Sequence, residues 1–103
     1  IVPLALDQKM SLMPWSPLAG GFLSGKFTRT NTQTGDGSRR DNFDFPPINK
    51  EKAFDIIEAM QKIASGKGVS VAQIALAWLL KKPSVTSIII GVKRKEQLLD
   101  NLA

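Results

Sequence analysis

The residues best able to do chemistry lie in two short stretches. The first, Trp15-Ser16-Pro17-Leu18-Ala19-Gly20-Gly21-Phe22-Leu23-Ser24-Gly25-Lys26, joins an indole to a glycine-rich turn and a lysine. The second, Gly91-Val92-Lys93-Arg94-Lys95-Glu96-Gln97-Leu98-Leu99-Asp100-Asn101, holds the densest basic cluster of the chain. Absent residue types narrow what these stretches can do. There is no cysteine, histidine or tyrosine. That excludes disulfides, thiolate metal sites and a cysteine nucleophile, and it removes the commonest general base and metal ligand. Only carboxylates and lysines remain for acid–base work, and no catalytic or metal-ligating residue is assigned.

A net charge of +5 with a pI near 9.8 allows a polyanion partner. The basic residues are scattered, however, which fits a solvated surface. A small phosphate ligand at Lys93-Arg94-Lys95 is the sharper alternative. Without aromatic–basic interleaving or zinc-finger spacing, no specific nucleic-acid partner is expected. No apolar run approaches the ~20 residues that span a bilayer, so no membrane partner is expected and the chain reads as cytoplasmic.

These stretches need elements to hold them. At 103 residues, 43% apolar and 22% charged, the chain is one globular domain at most. Leu4 to Gln8 reads as the last turns of a helix, and Met10 to Trp15 as a strand that Pro14 and Pro17 bring to an end. Phe27 to Ile48 is polar and aperiodic apart from Phe43 and Phe45, a loop of the length that is usually functional or disordered. Asn49 caps a helix in which Ala53, Phe54, Ile56, Ile57, Met60, Ile63 and Ala64 recur at helical spacing, and Gly66 and Gly68 end it. Ser70 and Gln73 form a capping-box pattern ahead of a helix with apolar residues on more than one side, expected to be largely buried, which Lys81-Lys82-Pro83 stops. Ile88-Ile89-Ile90 is a continuous β-branched run, expected as a strand covered on both faces. Leu98, Leu99 and Leu102 mark a last helix. The alternation gives an α/β class with parallel strands. Two strands alone leave unpaired edges. The chain is therefore expected to pair with a missing N-terminal part or to self-associate through those edges, and its apolar start at Ile1 fits a missing upstream part.

The stretch from Trp15 to Phe27 resembles the seventh-strand segment of the aldo-keto reductases, in the branch that includes the potassium-channel β subunits. Ser70-Val71-Ala72-Gln73-Ile74-Ala75-Leu76-Ala77-Trp78-Leu79-Leu80, followed by Ile88 to Leu102, resembles their seventh helix, eighth strand and eighth helix. The resemblance implies the C-terminal part, about the last two β/α units, of a (β/α)8 TIM barrel, a fold of ~250 residues when whole.

It also implies NADP(H) as cofactor. Trp15 would stack on the nicotinamide, and the segment Ser16, Pro17, Leu18, Ala19 and Gly20 would let backbone amides approach the pyrophosphate. Lys26 matches a phosphate-contacting position, and Arg39 corresponds to another in the loop. Gly91 gives a turn, and Lys93 and Arg94, ahead of a helix start, would hold the adenosine 2′-phosphate. Gln97 matches a contact to the adenosine end, and Asp100 and Asn101 match a pair that reads the adenine. For Gln97, Asp100 and Asn101 a solvated helix face is the alternative. The family's catalytic Asp, Tyr, Lys and His come from earlier strands. The chain alone is thus expected not to reduce carbonyls, although the intact protein would be an oxidoreductase for aldehydes or ketones. The competing expectation is a non-catalytic remnant, or an interaction or sensor module of the same fold.

Overall fold

A computed structural model describes residues 1–29 and 47–103, so Arg39, Phe43 and Phe45 lie outside the described residues. The chain runs through α1 (Val2–Asp7), a 3-10 segment (Ala19–Ser24), α2 (Lys50–Lys67), α3 (Val71–Leu80) and α4 (Lys95–Leu102). Pro3 sits in the first turn of α1, where a missing N–H costs nothing. Among the described residues no single helix is long and apolar enough to cross a membrane.

The expected strands are realised only in part. Among the described residues no continuous strand forms. The two segments instead meet through isolated parallel bridges, Leu12 with Val85 and Trp15 with Ile89. Leu12 donates its N–H to the Ser84 carbonyl (2.7 Å), Thr86 donates to the Leu12 carbonyl (3.2 Å), and Ile89 donates to the Pro14 carbonyl (3.0 Å). Between the two bridges the first segment advances by three residues and the second by four, so the register slips by one. The cause is Pro14. The next rung in register would need its N–H, which proline lacks. Nor is the second segment covered on both faces: Ile89 is 49% exposed.

Asn49 caps α2 by accepting the Lys52 N–H (3.1 Å). Ala53, Phe54, Ile57, Met60 and Ala64 form the buried stripe of α2, whereas Ile56 and Ile63, expected on that stripe, are exposed. Gly66 continues the helix. Gly68, at φ +66°, ends it in the left-handed region that glycine enters without a Cβ clash. The capping box of α3 is present, but the helix buries one face only, through Ala72, Ala75 and Leu76. Trp78 is 61% exposed, with the Lys82 ammonium 3.9 Å from its ring centre.

The core lies between the 3-10 segment, α2 and α3, where Phe22, Phe27, Ala53, Phe54, Ile57, Met60 and Ala75 pack with Leu18, Leu23, Val71 and Ile74 at their margin. Phe22 stacks on Phe27 with ring centres 5.1 Å apart and lies tilted against Phe54 at 5.3 Å. Offset aromatic pairs at such separations add to the burial of their area.

At Gly25 the turn passes so close to α3 that a Cβ would stand 3.1 Å from the Val71 Cβ, and φ is +88°. Steric overlap and a left-handed backbone therefore act together. Gly25→Ala is expected to lower stability by about 1–3 kcal/mol. Gly91→Ala, where a Cβ meets nothing within 4 Å, should be close to neutral. Urea denaturation of the two variants checks this, and equal midpoints would contradict it.

Candidate functional site

The two chemistry-bearing stretches leave the same end of the paired segments. Trp15 faces Ile89 across a parallel bridge, and Ser16–Gly20 follow the one residue while Gly91–Arg94 follow shortly after the other. Trp15 keeps 54% of its surface exposed.

The glycine-rich turn is wound tightly on itself. Ser16, Ala19, Gly20 and Gly21 all have positive φ, at 54°, 52°, 68° and 97°. For Ser16 and Ala19 that conformation is strained, and strain of this kind concentrates at functional sites. Hydrogen bonds hold it in place. Ala19 donates its N–H to the Ser16 carbonyl (2.9 Å), and Gly21 and Leu23 donate theirs to the Leu18 carbonyl (both 3.0 Å). Gly20 donates to the Ser16 hydroxyl oxygen (3.2 Å), and the Ser24 hydroxyl donates to the Gly21 carbonyl (2.6 Å). The amides of Ala19, Gly20 and Gly21 are thus engaged within the turn, and Leu18 and Ala19 lean on the core. Pro17 and Lys26 are half-buried.

In the second stretch Gly91, Lys93 and Arg94 are exposed. The Gln97 side chain turns back, its carboxamide oxygen accepting the backbone N–H of Lys93 (3.0 Å) and of Arg94 (3.3 Å). It occupies amides that would otherwise be free at the start of α4. Asp100 is engaged as well. Its carboxylate accepts the Ser70 hydroxyl (2.7 Å), and its carbonyl accepts the Gln73 side-chain amide (2.7 Å). Asn101 is half-buried.

Ser70 and Gln73 bind these parts together. The Ser70 oxygen accepts the Gln73 N–H (3.1 Å) while the Gln73 carboxamide oxygen accepts the Ser70 N–H (3.0 Å). The same two side chains donate to Asp100. One capping box therefore starts α3 and also fixes α4 against it. The pattern Ser70-x-x-Gln73 signals the cap in the sequence, but nothing there signals a partner thirty residues onward.

Arg29 is a second residue that the sequence reading did not single out. Its guanidinium donates to Glu51, Asp55 and, at 2.9 Å, Glu58, and it lies 5.5 Å from the Phe54 ring centre. Hydrogen bonds to Glu51, then Glu58, push its pKa above the ordinary arginine value. The acidic row at 51, 55 and 58 is legible on a helix as one face. A hollow of about 300 Å³ beside it is lined by Thr28, Arg29, Phe54, Ile57, Glu58 and Gln61, on α2 rather than between the two stretches.

Gly21 and Gly91 face open space where a Cβ would meet nothing within 4 Å, and Lys93 and Arg94 are exposed near the helix start.

The chain also resembles known proteins. Residues 1–103 match the family model described as the aldo/keto reductase family. An uncharacterized oxidoreductase, YrpG, of Bacillus subtilis is 35% identical over 99% of this chain and 29% of its own length. A protein of Oryza sativa named as a probable voltage-gated potassium channel subunit beta is 33% identical over 98% of this chain and 31% of its own. Among solved structures, the glycerol dehydrogenase AKR11B4 of Gluconobacter oxydans superposes with a TM-score of 0.70 at 26% identity, covering all of this chain and 32% of that one. The chain thus spans about a third of the length of the proteins it matches.

Ser70→Ala removes both the cap and the tie to Asp100, and it should cost about 1–2 kcal/mol of stability. Because both residues serve one network, Ser70→Ala and Asp100→Ala should be non-additive in a double-mutant cycle of urea midpoints. Strict additivity would show that the two helices are not coupled there.

Proposed function

The chain belongs to the aldo/keto reductase family, and on that premise we propose that it forms the NADP(H)-binding wall of a (β/α)8 barrel oxidoreductase acting on aldehydes or ketones. The observation that carries this reading is the parallel pairing of Trp15 with Ile89. In this reading the indole-led turn and the Lys93–Arg94 pair, which follow the two bridged residues, serve the end at which barrels of this kind build their sites.

In this reading the cofactor supplies hydride transfer, and the residues of this chain bind and orient it. The Trp15 ring supports the nicotinamide. Ser16 to Gly20 give a rigid, small-residue surface beside the pyrophosphate, with Pro17 and Leu18 fixing the course of the turn. Lys26 adds a charge. Since the amides of Ala19 to Gly21 are engaged within the turn, phosphate recognition there rests on Lys26 and, in the loop, Arg39. Lys93 and Arg94 take the adenosine 2′-phosphate by charge-assisted hydrogen bonds, which favours NADP(H) over NAD(H). Gln97 shapes that site by holding the backbone of both. Asp100, bound to Ser70, aligns α4 so that Asn101 presents its amide to the adenine. The sequence has neither tyrosine nor histidine, so a proton donor of those types for the substrate carbonyl comes from outside these residues. A cytoplasmic setting accords with this chemistry.

The similarity to a channel β subunit favours a second reading, in which the same nucleotide contacts serve an interaction or sensor module without turnover. Both readings require nucleotide binding, and carbonyl-dependent oxidation of NADPH separates them.

With Trp78→Phe as background, so that Trp15 alone reports, NADPH should quench the fluorescence of the full chain saturably. Arg94→Ala or Lys93→Ala should weaken NADPH about tenfold and leave NADH nearly unchanged. No quenching by either nucleotide would remove the cofactor reading, and equal losses for both would remove the 2′-phosphate assignment.

A further inference from the structure

The residues between the glycine-rich turn and the start of the undescribed segment are anchored on both sides of Lys26. On one side Gly25 lies against Val71, where a Cβ would stand 3.1 Å from the Val71 Cβ. On the other, Phe27 is 1% exposed in the aromatic core and Arg29 is held on α2 by three carboxylates and the Phe54 face. Burial of Phe27 alone would fix the chain at one point. The planar fork of Arg29, engaged by Glu51, Asp55 and Glu58 together, also fixes its direction.

A single exposed ion pair contributes little to stability, but this arrangement is not a single pair. Three carboxylates on one helix face repel one another and share one guanidinium, so removing it leaves them unbalanced and frees the exit of the turn. The hydrogen bonds keep the guanidinium charged beyond its ordinary range, so the clamp holds its cation at any working pH.

From this geometry we infer that Arg29 is a positioning residue, a clamp on α2 that orients the Lys26 segment toward the cofactor phosphates without touching the cofactor itself. The inference rests on the nucleotide reading above and adds a residue to it.

A double-mutant cycle in the full chain tests this. NADPH affinity is read by Trp15 quenching in the Trp78→Phe background, alongside far-UV circular dichroism. Lys26→Gln should weaken NADPH about fivefold to tenfold, and Arg29→Gln by about fivefold, for one disturbed charge contact. In a chain already carrying Lys26→Gln, adding Arg29→Gln should change affinity less than twofold. Arg29→Lys, which can serve only one carboxylate at a time, should recover part of the loss. Should Arg29→Gln unfold the chain, Glu58→Gln, which removes one contact only, decides by the same criterion. The inference is overturned if NADPH binds the unaltered chain and Arg29→Gln leaves affinity unchanged or weakens it equally in both backgrounds, or if Lys26→Gln has no effect. Those results leave the nucleotide reading standing, whereas failure of the unaltered chain to bind NADPH removes both.

Discussion

The constraint on which the rest of this structure depends is the N-terminal turn of α3. Among the described helices, α3 is the one that packs against the 3-10 segment, α2 and α4 alike. Its first residues are closely engaged: Val71 stands against Gly25 with room for little more than glycine's hydrogen, and Ser70 and Gln73 complete a cap while holding Asp100. If this turn shifts, the glycine-rich turn and the basic helix lose their common reference. Capping, usually a local matter of satisfying free N–H groups, here doubles as tertiary structure.

The candidate site inherits this economy. Groups that might have faced a ligand are partly committed to the fold: the amides of Ala19, Gly20 and Gly21 to the turn, those of Lys93 and Arg94 to Gln97, and the Asp100 carboxylate to Ser70. Trp15, Lys93 and Arg94 nevertheless keep exposed surface.

The apolar surface follows from the parallel pairing. Met13, Trp15 and Ile89 remain exposed, as do Val2, Leu4 and Leu6 of α1. A pair of parallel segments has a free edge on each side and normally needs further strands and helices to cover it. Pro14 shortens the ladder further by withholding one donor. The same residues that read as a barrel strand in the letters therefore stand here as a two-rung contact.

The local elements were legible in the sequence because their causes are local. Asn49, Gly68 and Ser70 with Gln73 mark helix ends through their own hydrogen bonds and dihedral freedom, and the stripe Ala53, Phe54, Ile57, Met60 and Ala64 follows from helical periodicity. The family likeness was legible too, since it rests on residue order. What tertiary structure alone decided is which of several apolar or polar groups is used. Ile56 and Ile63 satisfy the helical spacing yet face outward, because α3 and the 3-10 segment cover only one side of α2. Asp100 and Gln97 have the right types to face a ligand, yet their first partners are Ser70 and two backbone amides brought near by folding. Arg29 gains its importance from three carboxylates more than twenty residues away. Periodicity and propensity act between near neighbours in the chain, whereas the choice among equivalent partners is made by whichever surfaces meet, and no local pattern encodes that meeting.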